Sequence, residues 1–267
     1  MKKIIITYLI SVYDKKENLN NFINYYKKFN AGTKHRLLIC FKDFKKEDPI
    51  FKNPKLKLIE YIKHIDNSNF NDYDWGSYRR IAKIYKDNII LFMNCHSYPL
   101  VRNWLKFFVN HYKSKTLLGP CGSYESMVKS PINPIDKKNY FKSILYSISN
   151  FFDFSLFPNP HIRSNCFMLS AKDLLSLKKT KKYRFKKKST WIDESGRIGM
   201  TNQLLKRNFD IFVVNRDNKK FDIKNFKESE TYAYKNQSKL IISDKFTRQY
   251  KHADELKKSM IKKNVWG

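Results

Sequence analysis

Five short stretches of this chain combine residue types that can do chemistry. Asn94, Cys95 and His96 follow the apolar run from Asn88 to Met93. Asn and His there can orient a ligand through hydrogen bonds but bring no negative charge, and they serve equally well as a strand-end cap and a loop imidazole. His161, Arg163 and Asn165 cluster just after Pro158 and Pro160, in a loop leading into an expected strand. The Arg163 fork suits a phosphate, or else a salt bridge with one of the scarce carboxylates. Asp193 and Glu194 are adjacent carboxylates ahead of an expected helix. Such a pair can supply a general base, or can simply favour a helix N-terminus through its dipole. Asp74 with Gly76 has the character of a nucleotide-side turn, because glycine lets another backbone approach closely. Asp43 follows the second apolar run and also reads as an ordinary loop aspartate, while Trp75 and Tyr78 stack on a base or fill the core.

The elements that must position these residues alternate in period. Ile4 to Val12 is an unbroken apolar run, as a strand covered on both faces requires. Asp14 to Phe29 changes to helical spacing, with Asp14 and Glu17 as a capping box. Strands are expected at Arg36 to Phe41, Leu56 to Tyr61, Asn88 to Met93, Thr116 to Leu118, Asn165 to Leu169 and Ile211 to Val214. Helices are expected at Gly76 to Lys86, from Pro99 to Tyr112, and at Thr201 to Arg207. Alternation of this kind predicts an α/β fold, a mainly parallel twisted sheet with helices on both faces. Ligands of such sheets bind beyond the carboxyl ends of the strands. The exits at Ser11 to Asp14, Lys42 and Asp43, Asn94 to Ser97, Gly119 to Ser123 and near Arg163 are therefore the places to find a site, and the exits of the first strand and of Asn88 to Met93 are expected to share a pocket containing Asp43, Asp74 and Asn94.

The chain has 267 residues and a net charge of +30 from 54 basic and 24 acidic residues. That charge attracts polyanions: nucleic acid, anionic lipid or phosphorylated small molecules. Only 10 of the basic residues are Arg, and Asn, Ile, Phe and Tyr are also abundant, a bias that AT-rich codons produce without a partner; nucleic acid is accordingly disfavoured. Lys178 to Lys188 carries eight basic residues in eleven, suited to a solvated or membrane-facing loop. Phe141 to Phe157 reads as an apolar flap or a core helix. Cys40, Cys95, Cys121 and Cys166 form no CxxC, which fits buried thiols of a reducing compartment. With no apolar stretch of about 20 residues, the expectation is a cytoplasmic protein, at most peripheral on the inner face of the membrane. GxGxxG, GxxxxGK[ST] and HExxH are absent.

The stretch YDWGSYRRIAKIYKDNIILFMNCHSYP, a Gly-containing turn, a helix, a buried strand and a polar cluster, resembles the family 2-like glycosyltransferases of the GT-A fold, of bacterial surface polysaccharide type. SVYDKKENL resembles the exit of that family's first strand, PNPHIRSNCFMLSAKDLL the strand after its acceptor region, and WIDESGRIGMTNQLLKRNFDIFVVN its acidic motif with the following helix and strand. The resemblance spans most of residues 4–215. It implies a Rossmann-like nucleotide-binding half within a single domain, 1–267, with a flap-like insertion at about 129–160 and a basic C-terminal extension from about 216.

It also implies transfer, by inversion, of a sugar from a nucleotide-sugar donor to a glycan or lipid-linked acceptor. Glu194, with Asp193 second, takes the place of the base. Asp43, Asp74, Gly76, Asn94, His96 and Arg163 fall on the donor side, and His161 and Asn165 on the acceptor side. The departure lies at the metal motif, where Asn94, Cys95 and His96 replace the family's paired aspartates. Mg²⁺ and Mn²⁺ are bound through hard carboxylate oxygens, so no metal ligand is assigned, and either ion is expected only if ligands lie elsewhere. A metal-independent enzyme that neutralises the diphosphate with Arg79, Arg80, Arg163 and lysines, a site with relocated ligands, and a glycosyltransferase-fold pseudoenzyme all remain open. The alternative of a different class is a non-catalytic polyanion or nucleic-acid binder.

Overall fold

The computed structural model describes residues 3–68, 71–128, 148–180 and 186–267. An eight-stranded sheet runs in the order β11-β10-β6-β9-β4-β1-β2-β3. Its members are β1 (Ile4–Ser11), β2 (Arg36–Lys42), β3 (Ile62–Asp66), β4 (Ile89–Met93), β6 (Thr116–Gly119), β9 (Cys166–Ser170), β10 (Asp210–Val214) and β11 (Lys220–Phe221). β1 pairs in parallel with β2 and β4, β2 with β3, and β10 with β6, while β9 runs antiparallel between β4 and β6 and β11 antiparallel at the edge. The expected α/β class is what the chain adopts.

Period-2 alternation sorts each central strand into two layers. Ile5 and Leu9 of β1, with Ile90 and Phe92 of β4, join one buried cluster; Ile6, Tyr8 and Ile10, with Leu91 and Met93, join the other. Helix α2 (Tyr73–Ile84) covers the first face through Trp75, Tyr78, Ile81 and Ala82. Helices α1 (Lys16–Lys28) and α3 (Trp104–His111) cover the second through Leu19, Phe22, Ile23, Trp104, Leu105 and Phe108. Phe22 stacks on Tyr8 at 3.9 Å between ring centroids, and burying an aromatic of this size contributes about 1.5–3 kcal/mol. The remaining helices are α4 (Ala171–Ser176), α5 (Lys187–Ser195), α6 (Met200–Leu205), α7 (Lys245–Lys251) and α8 (Glu255–Trp266).

Four local expectations are corrected. The strand expected at Leu56 to Tyr61 is a 3-10 turn over Pro54–Leu58, because Asn53 caps it by accepting from the Lys55 N–H and Pro54 occupies its first position; the strand starts later, at Ile62. Pro99 does not open a helix. It lies in the two-residue strand β5 (Tyr98–Pro99), paired with β12 (Ile242–Ser243), and the helix starts at Trp104 after Asn103 turns left-handed at φ 61°. Asp14 does not cap α1: its carboxylate turns back to accept from the Ser11 N–H at 2.8 Å. Asp193 and Glu194 precede α6 as expected but do not sit at its N-terminus: they lie in the last turn of a separate helix, α5.

The stretch expected to be a C-terminal extension packs onto the sheet layers, since Phe226, Tyr232, Tyr250, Val265 and Trp266 are all buried in the first cluster. Most of the expected flap (129–147) and the centre of the basic run (181–185) lie outside the described residues.

Candidate functional site

Because β1 and β4 are parallel neighbours with Tyr8 opposite Met93, their exits open on one edge of the sheet. β9 arrives at that edge by its N-terminal end, with Cys166 opposite Met93. Asn94 is consumed there by the turn. Its Oδ1 accepts from the His96 N–H at 3.1 Å and the Ser97 hydroxyl at 3.0 Å, and its amide donates to Asn165 Oδ1 at 3.1 Å. Asn94 therefore shapes the loop, and what the loop presents is Cys95 and His96. One ligand atom each of Asp14, Cys95 and His96 lies within 4.8 Å of the other two. Tyr8 Oη anchors this turn by donating to the Cys95 carbonyl at 2.8 Å.

The residues ahead of β9 bring a second group to the same edge. Glu194 accepts from the Ser164 N–H at 3.1 Å and from the Ser164 hydroxyl, and its other oxygen stands 3.8 Å from His161 Nε2. His161 Nδ1 faces the Asn159 carbonyl at 2.8 Å, which assigns its proton to Nδ1 and leaves Nε2 an acceptor when neutral. Burial pulls the His161 pKa down, and Glu194 opposes that only in part. Beside them the Arg163 guanidinium is sandwiched between Tyr232 and Phe246, 4.5 and 4.4 Å from the ring centroids. Its side chain is 93% buried, yet Nε has no hydrogen-bond partner and no carboxylate among the described residues pairs with it. Burial alone would lower its pKa; the fields of Tyr232, Asp244, Glu194 and Glu125 outweigh burial and hold it raised. The salt-bridge alternative for Arg163 is thus not what the structure contains. Asn165 donates to Asp244 Oδ2 at 2.9 Å.

Asp74, half-buried at the start of α2, has no hydrogen-bond partner among the described residues. Burial, and then the nearby Asp14 and Glu194 carboxylates, push its pKa up to about 6 against the pull of Lys42. The expected sharing of an edge between the β1 and β4 exits is observed, with Asp74 electrostatically coupled to both groups. Asp43 is not part of it: its carboxylate accepts from the Ser68 N–H and hydroxyl, each at 3.0 Å. Gly76 is not in a turn. It lies within α2, and a Cβ there would sit 1.7 Å from Asp72 Oδ2, so it is Asp72 that approaches. Asp72 pairs with Lys42 and with Arg80, which also forks onto Asp66 at 2.5 and 2.8 Å. Arg79 points away, donating to the Leu174 and Leu177 carbonyls. Asp193 also faces away from Glu194's partners. It accepts from the Thr180 N–H at 3.1 Å, and burial pushes its pKa up to about 6.

Asp14, Cys95, Asp244 and Arg248 escaped the sequence-based selection of site residues. Arg248 donates to the His96 carbonyl at 3.0 Å and covers the Tyr98 ring. Asp14 and Cys95 lay in stretches already marked by the strand-exit rule; Asp244 left a signal of another kind, since the DKFT run is a capping box with Asp244 accepting from the Phe246 and Thr247 N–H groups.

The motif position does not fit Mg²⁺ or Mn²⁺. Of the residues that converge there only Asp14 brings a carboxylate, whereas both ions want several hard oxygens.

No family model matches the sequence, and no curated protein matches it. Among solved structures the fold is similar to HddC from Yersinia pseudotuberculosis, at 14% identity over 68% of this chain and 82% of that one, TM-score 0.40. It is also similar to the S. cerevisiae mannosyltransferase Ktr4p in complex with GDP, at 10% identity over 79% and 69%, TM-score 0.43. A third is the Pyrobaculum calidifontis mannosyltransferase PcManGT with GDP-Man and Mn²⁺, at 6% identity over 63% and 45%, TM-score 0.39. Among the described residues no helix is long and apolar enough to cross a membrane.

Proposed function

We propose that this chain is an inverting glycosyltransferase of the GT-A type, moving a sugar from a nucleotide donor to a glycan or lipid-linked acceptor in surface polysaccharide assembly. The observation that carries the reading is the pairing, at one sheet edge, of a fixed carboxylate with an uncommitted buried cation. Glu194 is held by Ser164 beside His161, with 20% of its side chain exposed, so it can reach an acceptor hydroxyl and take its proton. Arg163 is held against two rings, and among the described residues no carboxylate makes an ion pair with it, although Asp244, Glu194 and Glu125 act on it at longer range; a donor diphosphate can supply that direct partner. In this scheme Arg163 does the charge neutralisation that a carboxylate-held ion does elsewhere. Asp74 and His96 face the donor, and His161 and Asn165 orient the acceptor side.

We take 1–267 as one functional unit, because Asp244 and Phe246 of the C-terminal stretch reach Asn165 and Arg163. Phe151, Phe152, Leu156 and Ile198 are exposed, with Arg197 over the Phe151 ring; such a basic, apolar patch suits peripheral contact with the membrane that carries a lipid-linked acceptor.

A thermal-shift screen across sugar nucleotides tests this. One donor at 100 times its dissociation constant adds about 2.7 kcal/mol of stability, and Arg163→Met abolishes the gain. If no sugar nucleotide stabilises the protein while nucleic acid binds with steep salt dependence, the chain is a polyanion binder instead.

A further inference from the structure

The convergence of Asp14, Cys95 and His96 offers one oxygen, one sulfur and one nitrogen to a common point, and three features of the fold hold it so. The Ser11 N–H fixes the Asp14 carboxylate at 2.8 Å. The Asn94 side chain sets the turn that carries Cys95 and His96 by accepting from the His96 N–H. The Asn18 amide nitrogen lies 3.8 Å from Cys95 Sγ, to which it donates, and 3.4 Å from His96 Nδ1, so it bridges the two side chains and holds them side by side. Partners of this kind around the donor atoms are what orient metal ligands. The surrounding field is mixed: beyond Asp14 itself, Asp74 acts on Cys95 and Asp244 on His96, against the cations Lys245 and Arg248.

We propose that Asp14, Cys95 and His96 form a binding site for a divalent ion of the zinc class. A thiolate and an imidazole select such borderline ions over Mg²⁺ and Mn²⁺. Bond lengths of about 2.0–2.3 Å to a tetrahedral ion place ligand atoms roughly 3.4 Å apart. The three ligand atoms, already within 4.8 Å of one another, would have to draw together by up to about 1.4 Å to reach that spacing. On binding, the Cys95 thiol loses its proton to solvent and its sulfur donates the electron pair. Three protein ligands leave the fourth position open to an oxygen of water or of an anionic ligand, as in zinc sites that act on substrates rather than staple a fold. The site stands on these residues alone and would remain if the chain transferred no sugar.

The test is titration of the metal-free protein with Co²⁺, followed optically. The expected result is one equivalent per chain, with the visible spectrum of a four-coordinate site and a near-ultraviolet sulfur-to-cobalt charge-transfer band. Zn²⁺ should abolish that spectrum, and a large excess of Mg²⁺ or Mn²⁺ should leave it. Cys95→Ser should eliminate the charge-transfer band, and Asp14→Asn and His96→Gln should each weaken Co²⁺ binding by about tenfold or more. Near-ultraviolet circular dichroism of the metal-free variants shows whether each is folded, and Asp14→Asn, the mildest change, serves if Cys95→Ser is not. No cobalt spectrum, displacement by Mn²⁺ as readily as by Zn²⁺, or a charge-transfer band that survives in folded Cys95→Ser would each overturn the proposal.

Discussion

Two charged groups lie along the same sheet edge and are built on opposite principles. At the exits of β2 and β3, Lys42, Arg80, Asp66 and Asp72 form two cations and two anions locked together, with Lys42 only 2% exposed. Burial alone would raise the Asp66 and Asp72 carboxyls, but hydrogen bonds and charge from Arg80 and Lys42 hold both below the ordinary range. At the exits of β1 and β4, Asp74 has no hydrogen-bond partner among the described residues and burial pushes its pKa up to about 6, while Arg163 has aromatic rings where a carboxylate would be expected. The first group is complete within the chain. The second is left unbalanced, and unbalanced charge held rigidly by packing is what a ligand can complete.

If that contrast is right, the largest loss of stability comes from disturbing the balanced group. Gly76→Ala places a methyl where the Asp72 carboxylate lies, at 1.7 Å. The carboxylate must swing out, and Lys42 is left with the Ser68 and Ser77 hydroxyls, each at 3.4 Å, and the longer-range field of Asp66. A stranded buried charge costs about 3–5 kcal/mol, to be read from urea denaturation; a loss under about 1 kcal/mol would mean that the network is not the anchor argued here.

In the unbalanced group, substitution should cost function instead. Glu194→Gln keeps an oxygen for Ser164 but removes proton acceptance, so turnover should fall by about 100-fold or more while unfolding free energy changes by no more than about 0.5 kcal/mol. Asp193→Asn is the control, since Asp193 faces Thr180 and Arg79; if it is the dead variant and Glu194→Gln is active, the base has been misassigned. Arg163→Lys keeps the charge but loses the planar fork. Donor affinity should then fall by about tenfold in calorimetry; unchanged affinity would remove Arg163 from the donor site.

The difference between the two groups was only half legible in the sequence. The layers were: unbroken apolar runs at Ile4 to Val12 and Asn88 to Met93 gave β1 and β4, and the strand-exit rule gave the edge. Which polar residues at that edge are already spent was not legible, because it depends on which of several competing donors and acceptors, near or far in the chain, the fold brings into reach. Asp43 and Gly76 looked like ligand residues and answer to Ser68 and Asp72. Asn94 looked like a motif member and caps its own turn. Asp14 looked like a helix cap because its spacing to Glu17 is right; the Ser11 N–H competes for it and wins, and only the adjacency of β1 to β4 then brings it to Cys95 and His96. The reversal of β9 delivers Ser164 to Glu194, and no local pattern announces the direction of a strand buried on both faces.

The smallest expected effect separates the two groups by the sign of a pH dependence. An unfolded Asp titrates near 3.9 and Asp74 near 6, so between these values the folded chain binds more protons than the unfolded one. Stability from this group is therefore full at low pH and is lost as pH rises through about 6. Asp74→Asn removes that loss: at pH 7.5 the variant should be more stable than wild type by about 1 kcal/mol once solvent screening is allowed for, and the difference should vanish toward pH 4. Asp193 shifts in the same direction, so part of the slope survives in Asp74→Asn and disappears only when Asp193→Asn is added. Asp72 gives the opposite sign. Its carboxyl is depressed, so its stabilisation is present above the unfolded value and is lost as pH falls. Should Asp74→Asn prove less stable than wild type at pH 7.5, the ionised carboxylate would have a partner in the folded chain, and the β1 and β4 exits would belong with the balanced group after all.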